Sequence, residues 1–169
     1  MTNLVAHAIV FLSLGILLAA ALHDAALRTI PNWVPASLAV GGLVLRVQEG
    51  NAMAGAGIAT LLLIILGVLW LRGFIGGGDM KLIPAVALVL PPSGVPGFIL
   101  SVALAGGALA LIYLALPFVV PPPRPGPRRG FLARVFKAEA WRLHRHGPLP
   151  YALAIAGGAL PIFIETLSR

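Results

Sequence analysis

The chain has 169 residues, 59% of them apolar and only 10% charged, with a mean hydropathy of +0.99. A soluble domain runs at about 45–50% apolar and about 25% charged, so this composition cannot cover a water-facing exterior. It excludes a disordered protein, a nucleic-acid-binding domain and a soluble enzyme, even though twelve Lys and Arg against five Asp and Glu give a formal charge of +7.

The expected fold class is all-α, a polytopic membrane protein folded as one bundle. There is no cysteine, which removes disulfides, iron–sulfur clusters, thiol catalysis and cysteine-ligated zinc. Six apolar segments follow one another. Residues 4–22, interrupted only by His7 and Ser13, are long enough for a hydrocarbon core about 30 Å thick. Residues 19–21 resemble a small-residue cleavage site, but no Lys or Arg precedes the segment, so the basic start of a cleaved signal is missing. Residues 33–47 are shorter and contain Pro35 and Arg46. Residues 52–71 are uninterrupted, residues 80–95 begin beside Lys81, residues 97–120 are long, and residues 149–164 close the series. The first, third and fifth read as full spans. The second, fourth and sixth read as short or kinked helices packed among neighbours. Frequent glycine suits close helix packing in lipid, and no internal repeat is present.

Orientation follows from the basic residues. With the N-terminus outside, the inner connections hold Arg28, Arg72, Lys81, Arg124, Arg128, Arg129, Arg134, Lys137, Arg142 and Arg145, and only Arg46 and Arg169 lie outside. Both termini are therefore expected on the outer side of a bacterial inner membrane, with the loops after segments one, three and five in the cytoplasm.

Only two aspartates occur, Asp24 just past the first segment and Asp79 just before the fourth. Both fall at cytoplasmic ends of apolar segments, where a fully inserted carboxylate costs up to about 2.5–3.5 kcal/mol. Each has an ordinary explanation. Asp79 follows Gly76, Gly77 and Gly78 and suits the positive end of a helix as a cap. Asp24 sits at a helix C-terminus, where the dipole disfavours negative charge, and Arg28 is near enough to neutralise it. Two carboxylates at one depth on different helices can also meet.

The residues around them carry a resemblance. Asp24, Arg28, Ile30, Pro31 and Asn32 stand in a D-x-x-x-R-x-I-P-N stretch that resembles type IV prepilin peptidases. Gly76, Gly78, Asp79, Lys81 and Leu82 match the G-x-G-D-x-K-L signature of that family. The resemblance covers most of residues 1–117, and residues 148–152 resemble the family's last helix. Long members carry a cytoplasmic insertion with two zinc-binding Cys pairs, and many also methylate the new N-terminus. This chain lacks both the cysteines and the insertion, so it resembles the short form of Flp (tight-adherence) pilus systems, without methyltransferase activity.

The resemblance implies an aspartic endopeptidase with Asp24 and Asp79 catalytic and with no metal or cofactor. It implies prepilins and pseudopilins as substrates, each a short basic leader ahead of an apolar helix, cut at the cytoplasmic face. The chemistry agrees: two adjacent carboxyls cannot both ionise cheaply, so they share a proton. One takes a proton from water while the other polarises the scissile carbonyl. The dipole argument assigns the carboxylate to Asp79 and the acid to Asp24. Gly76 and Gly78 fit either a flexible turn or a close backbone approach to an extended substrate. Pro31 and Asn32 force an extended entry into the second segment, and Lys81 either orients substrate or reaches the headgroups. Arg28, Pro31, Asn32, Gly76, Gly78 and Lys81 are thus supporting positions.

Residues 121–148 hold seven of the twelve basic residues. A proline-rich linker leads into a stretch with Leu132, Val135, Phe136, Ala140 and Leu143 on one face, which reads as an interfacial helix on the anionic inner leaflet or as a solvated linker. A presenilin-like protease would need more spans and a Pro-Ala-Leu motif that is absent here. A small proton-coupled transporter with paired carboxylates is the alternative from another class, but it would show inverted repeats or broken helices at the midplane. No nucleic-acid partner is expected, and the oligomeric state is open.

Overall fold

The computed structural model describes residues 2–119, 130, 141 and 149–168. Among them are six α-helices and no strand: α1 (Thr2–Leu27), α2 (Trp33–Gln48), α3 (Ala52–Leu71), α4 (Gly77–Val89), α5 (Val95–Val119) and α6 (Tyr151–Leu167), with a short 3-10 turn at Pro92–Gly94. The proposed interfacial helix falls at residues 131–146, and five of the loop's basic residues fall between 120 and 140. Trp141 apart, these, with Arg142 and Arg145, lie outside the described residues.

Helix ends follow local chemistry. Gly50 and Gly73 take positive φ (70° and 77°) just past α2 and α3. There the N–H groups of Asn51 and Phe74 turn back to the carbonyls of Arg46 and Leu69 and satisfy the last turns. Leu90 is extended ahead of Pro91, which ends α4. Arg28, just past α1, is a non-glycine residue with φ 59°.

Three helices are long and apolar enough to cross a membrane: Leu4–Leu27, Ala52–Leu71 and Pro92–Val119. α2, α6 and α4 are shorter, with 16, 17 and 13 residues. α4 is the inner element. Its residues from Leu82 to Val89 are all buried, and it packs on α2, α3 and α6. α1 lies on α6 and α2, and α5 lies on α6. Outward faces are apolar: on α3 only Gly55 is buried, while Leu61, Ile64 and Leu71 are exposed.

Two backbone approaches set the packing. A Cβ on Gly42 would stand 2.6 Å from the Leu88 carbonyl carbon, and one on Gly158 would stand 2.5 Å from the Val102 nitrogen. Helices α2 and α4, and α6 and α5, are therefore closer than any side-chain-bearing residue permits at those points.

Arg46, near the end of the second segment and counted on the outer side, is enclosed within the bundle. It is 1% exposed, and its guanidinium donates to both Glu49 carboxylate oxygens (2.7 and 3.0 Å), to the Asn51 side-chain oxygen (3.4 Å) and to the Val89 carbonyl (3.3 Å). It thereby ties the ends of α2 and α4 together. Glu49→Ala leaves this cation enclosed without its carboxylate. Because Glu49 is 44% exposed, the expected loss is about 2 kcal/mol, below the ~3–5 kcal/mol of a fully buried pair. The Arg46→Met/Glu49→Ala double variant is expected to regain most of it. Unfolding in detergent checks both, and an unchanged Glu49→Ala midpoint would remove the pair from the fold's energetics.

Candidate active site

Asp24 lies in the last turn of α1 and is 7% exposed. Its Oδ2 accepts the backbone N–H of Ala152 at 3.3 Å. Ala152 is in the first turn of α6, where N–H groups have no intrahelical acceptor and the helix end is positive. The C-terminal end of α1 disfavours a carboxylate, and the N-terminal end of α6 compensates. The dipole ground for assigning the carboxylate to Asp79 and the acid to Asp24 is therefore gone.

Asp79 is the third residue of α4, whose N-cap is Gly76, so it stands inside the first turn rather than as the cap itself. Its carboxylate folds back over Gly76, where a Cβ would meet Oδ2 at 2.9 Å. The carboxyl groups of Asp24 and Asp79 are within electrostatic reach of each other.

The glycine run works by close packing. None of Gly76, Gly77 and Gly78 has positive φ. A Cβ on Gly77 would stand 3.1 Å from the Trp70 indole nitrogen, and one on Gly78 would stand 3.1 Å from the Ile30 side chain. Ile30 belongs to the loop that follows Asp24, so the two motifs touch there. They are joined again where Lys81 Nζ donates to the Asn32 side-chain oxygen at 3.1 Å. The Pro31 carbonyl accepts the Val34 N–H at 3.0 Å and turns the chain into α2, and His23 Nδ1 lies 2.8 Å from the Thr29 carbonyl.

Arg28 reaches across to α5. Its guanidinium donates to the Tyr113 hydroxyl at 3.2 Å and lies 5.8 Å from the centre of that ring. The Arg28 N–H bonds the Asp24 carbonyl at 2.8 Å. A left-handed arginine costs about 1–2 kcal/mol in backbone energy, and these contacts hold it in place.

Tyr151, at the start of α6, lies within electrostatic range of Asp79. Its ring rests against Gly106 of α5, where a Cβ would stand 2.7 Å from the hydroxyl. The chain has only two tyrosines, Tyr113 and Tyr151, and both stand here. Sequence reasoning gave neither a role. The available signal was a polar-tipped ring in an otherwise apolar segment.

Residues 11–111 match the type IV leader peptidase family, a stretch that contains both motifs and reaches from α1 into α5. The chain belongs to that family. No curated protein and no solved structure matches it. As a leader peptidase it is a hydrolase, and the matched stretch supplies both aspartates while α6, beyond it, supplies the N–H that holds Asp24. Among the described residues no three His, Cys, Asp or Glu side chains come together as they would to hold a metal ion.

Proposed function

We propose that the protein is a membrane-embedded aspartic endopeptidase that removes the basic leader from type IV or Flp prepilins and pseudopilins at the cytoplasmic face, with Asp24 and Asp79 as its catalytic dyad. What supports this reading is that the two aspartate-bearing turns pack together, through Lys81 on Asn32 and Ile30 against Gly78, with their carboxyls within electrostatic reach, in a chain of the leader peptidase family. In this reading the dyad holds one proton. The ionised carboxyl takes a proton from water, whose oxygen attacks the scissile carbonyl carbon. The other carboxyl donates to the carbonyl oxygen, and on collapse the amine leaves with a proton returned from the dyad. No cofactor and no methyl transfer enter. Lys81 on Asn32 and Ile30 against Gly78 hold the two aspartate-bearing turns together, Gly76 leaves room for the Asp79 carboxylate, Pro31 turns the chain into α2, and Arg28 ties the first turn to Tyr113 of α5.

The whole chain then forms one peptidase domain of six spans in a bacterial inner membrane, with its apolar outer surface in lipid. The seven basic residues of 121–148 would draw that loop to the anionic cytoplasmic leaflet. Co-expression with a Flp-type prepilin tests the activity, the expected result being a faster-migrating, leaderless pilin on a gel; an unshifted pilin would refute it. Topology has its own check. A reporter active only in the cytoplasm is expected to work when inserted at Gly126 and to be silent when fused after Arg169. The reverse pattern would overturn the six-span arrangement.

A further inference from the structure

An apolar groove of about 340 Å³ runs between α1 and α6. Small residues make its floor: Ala21 and Ala156 are buried, and nothing lies within 4 Å of where a Cβ on Gly157 would stand. Exposed Leu18, Leu22 and Leu160 form its rim. The lining positions recur three and four apart on both helices, so each gives the groove a single face for about two turns. Pro161 lies within α6 and has no N–H, so the Gly157 carbonyl lacks its usual intrahelical donor. A glycine with a freed carbonyl lets a second backbone come close.

The groove leads to the dyad. Leu22 is two residues before Asp24, and Leu153, at the same end, follows the Ala152 whose N–H holds Asp24. A polypeptide arriving sideways through hydrocarbon must satisfy its own backbone, so it arrives as a helix. A helix lying in this groove would end beside Asp24, where its backbone must open for cleavage. A lipid chain or a second copy has no reason to stop at that point.

We propose that the α1–α6 groove seats the apolar helix of the substrate and brings the bond at its cytoplasmic end to Asp24 and Asp79. This inference rests on the peptidase reading. The test uses the full-length protein in membranes with a Flp-type prepilin carrying a basic leader and one apolar helix. Gly157→Leu puts a side chain into the groove from a position where the Cβ meets nothing within 4 Å and is expected to raise KM about tenfold with kcat little changed. Gly107→Leu, on an exposed and equally open position of α5, leaves both unchanged. The parent chain has no cysteine, so Gly157→Cys in the inactive Asp24→Asn background offers a single thiol. It is expected to form a disulfide with a cysteine placed one or two turns into the prepilin helix, and this readout decides the matter if Gly157→Leu fails to accumulate. Parental KM in Gly157→Leu, or a disulfide formed only with a second copy of the enzyme, would overturn the groove while leaving the peptidase standing. An uncut prepilin with both the parent and Asp24→Asn would instead refute the peptidase, and the groove with it.

Discussion

Asp24→Asn and Asp79→Asn are each expected to leave the protein in the membrane at parental levels and to lower prepilin cleavage by about 10³-fold or more. The amide keeps the shape of the carboxyl, and its oxygen still accepts the Ala152 N–H at position 24, so folding is spared. What it loses is the proton: an amide neither takes one from water nor gives one to the scissile carbonyl. Because the two groups act as a unit, the double variant is expected to be no worse than either single one. Initial cleavage rates in membranes at matched protein levels measure this. Either variant retaining a tenth of parental activity would remove the dyad from the mechanism.

Gly158→Ala and Gly42→Ala have the largest expected effects on stability. Replacing an exposed helical glycine by alanine normally gains about 0.8–1 kcal/mol. At Gly107, where nothing lies within 4 Å, that gain is expected in full. At Gly158 and Gly42 the new methyl meets backbone at 2.5 and 2.6 Å, and backbone cannot turn aside as a flexible side chain does. The helices must separate, at a cost of about 3 kcal/mol, so the clash outweighs the propensity. Unfolding midpoints in detergent are expected to fall for Gly158→Ala and Gly42→Ala and to rise for Gly107→Ala. Equal shifts for the three would show that helix separation costs little here.

The helical segments and the two aspartate motifs were legible because their signals are local. An apolar run needs only its own composition, and Asp24 and Asp79 stand out as the chain's only aspartates. The partners of those residues were not legible. The N–H that holds Asp24 comes from Ala152, 128 residues away, and nothing near either position announces the bond. Arg46 was legible as a charge near the end of the second segment, but its burial was not, because that depends on the Val89 carbonyl of another helix. The glycine run was open to two readings, and the difference lay in Trp70 and Ile30, whose placement is tertiary. Tyr113 and Tyr151 were visible as residues but not as neighbours of the motifs.

The burial of α4 bears on which bond is cut. Its thirteen residues extend only about 20 Å, and α2, α3 and α6 surround it. Its depth is set by those neighbours, so Asp79 does not follow the bilayer when acyl chains lengthen or shorten. A single-pass pilin helix has no such sheath and rises or sinks with hydrophobic thickness. Under the proposed function, bilayer thickness is then expected to act on cleavage-site choice chiefly through the pilin. In thicker membranes the peptide bond presented to Asp79 is expected to shift along the pilin, which would make growth temperature, through lipid composition, a variable of pilin maturation.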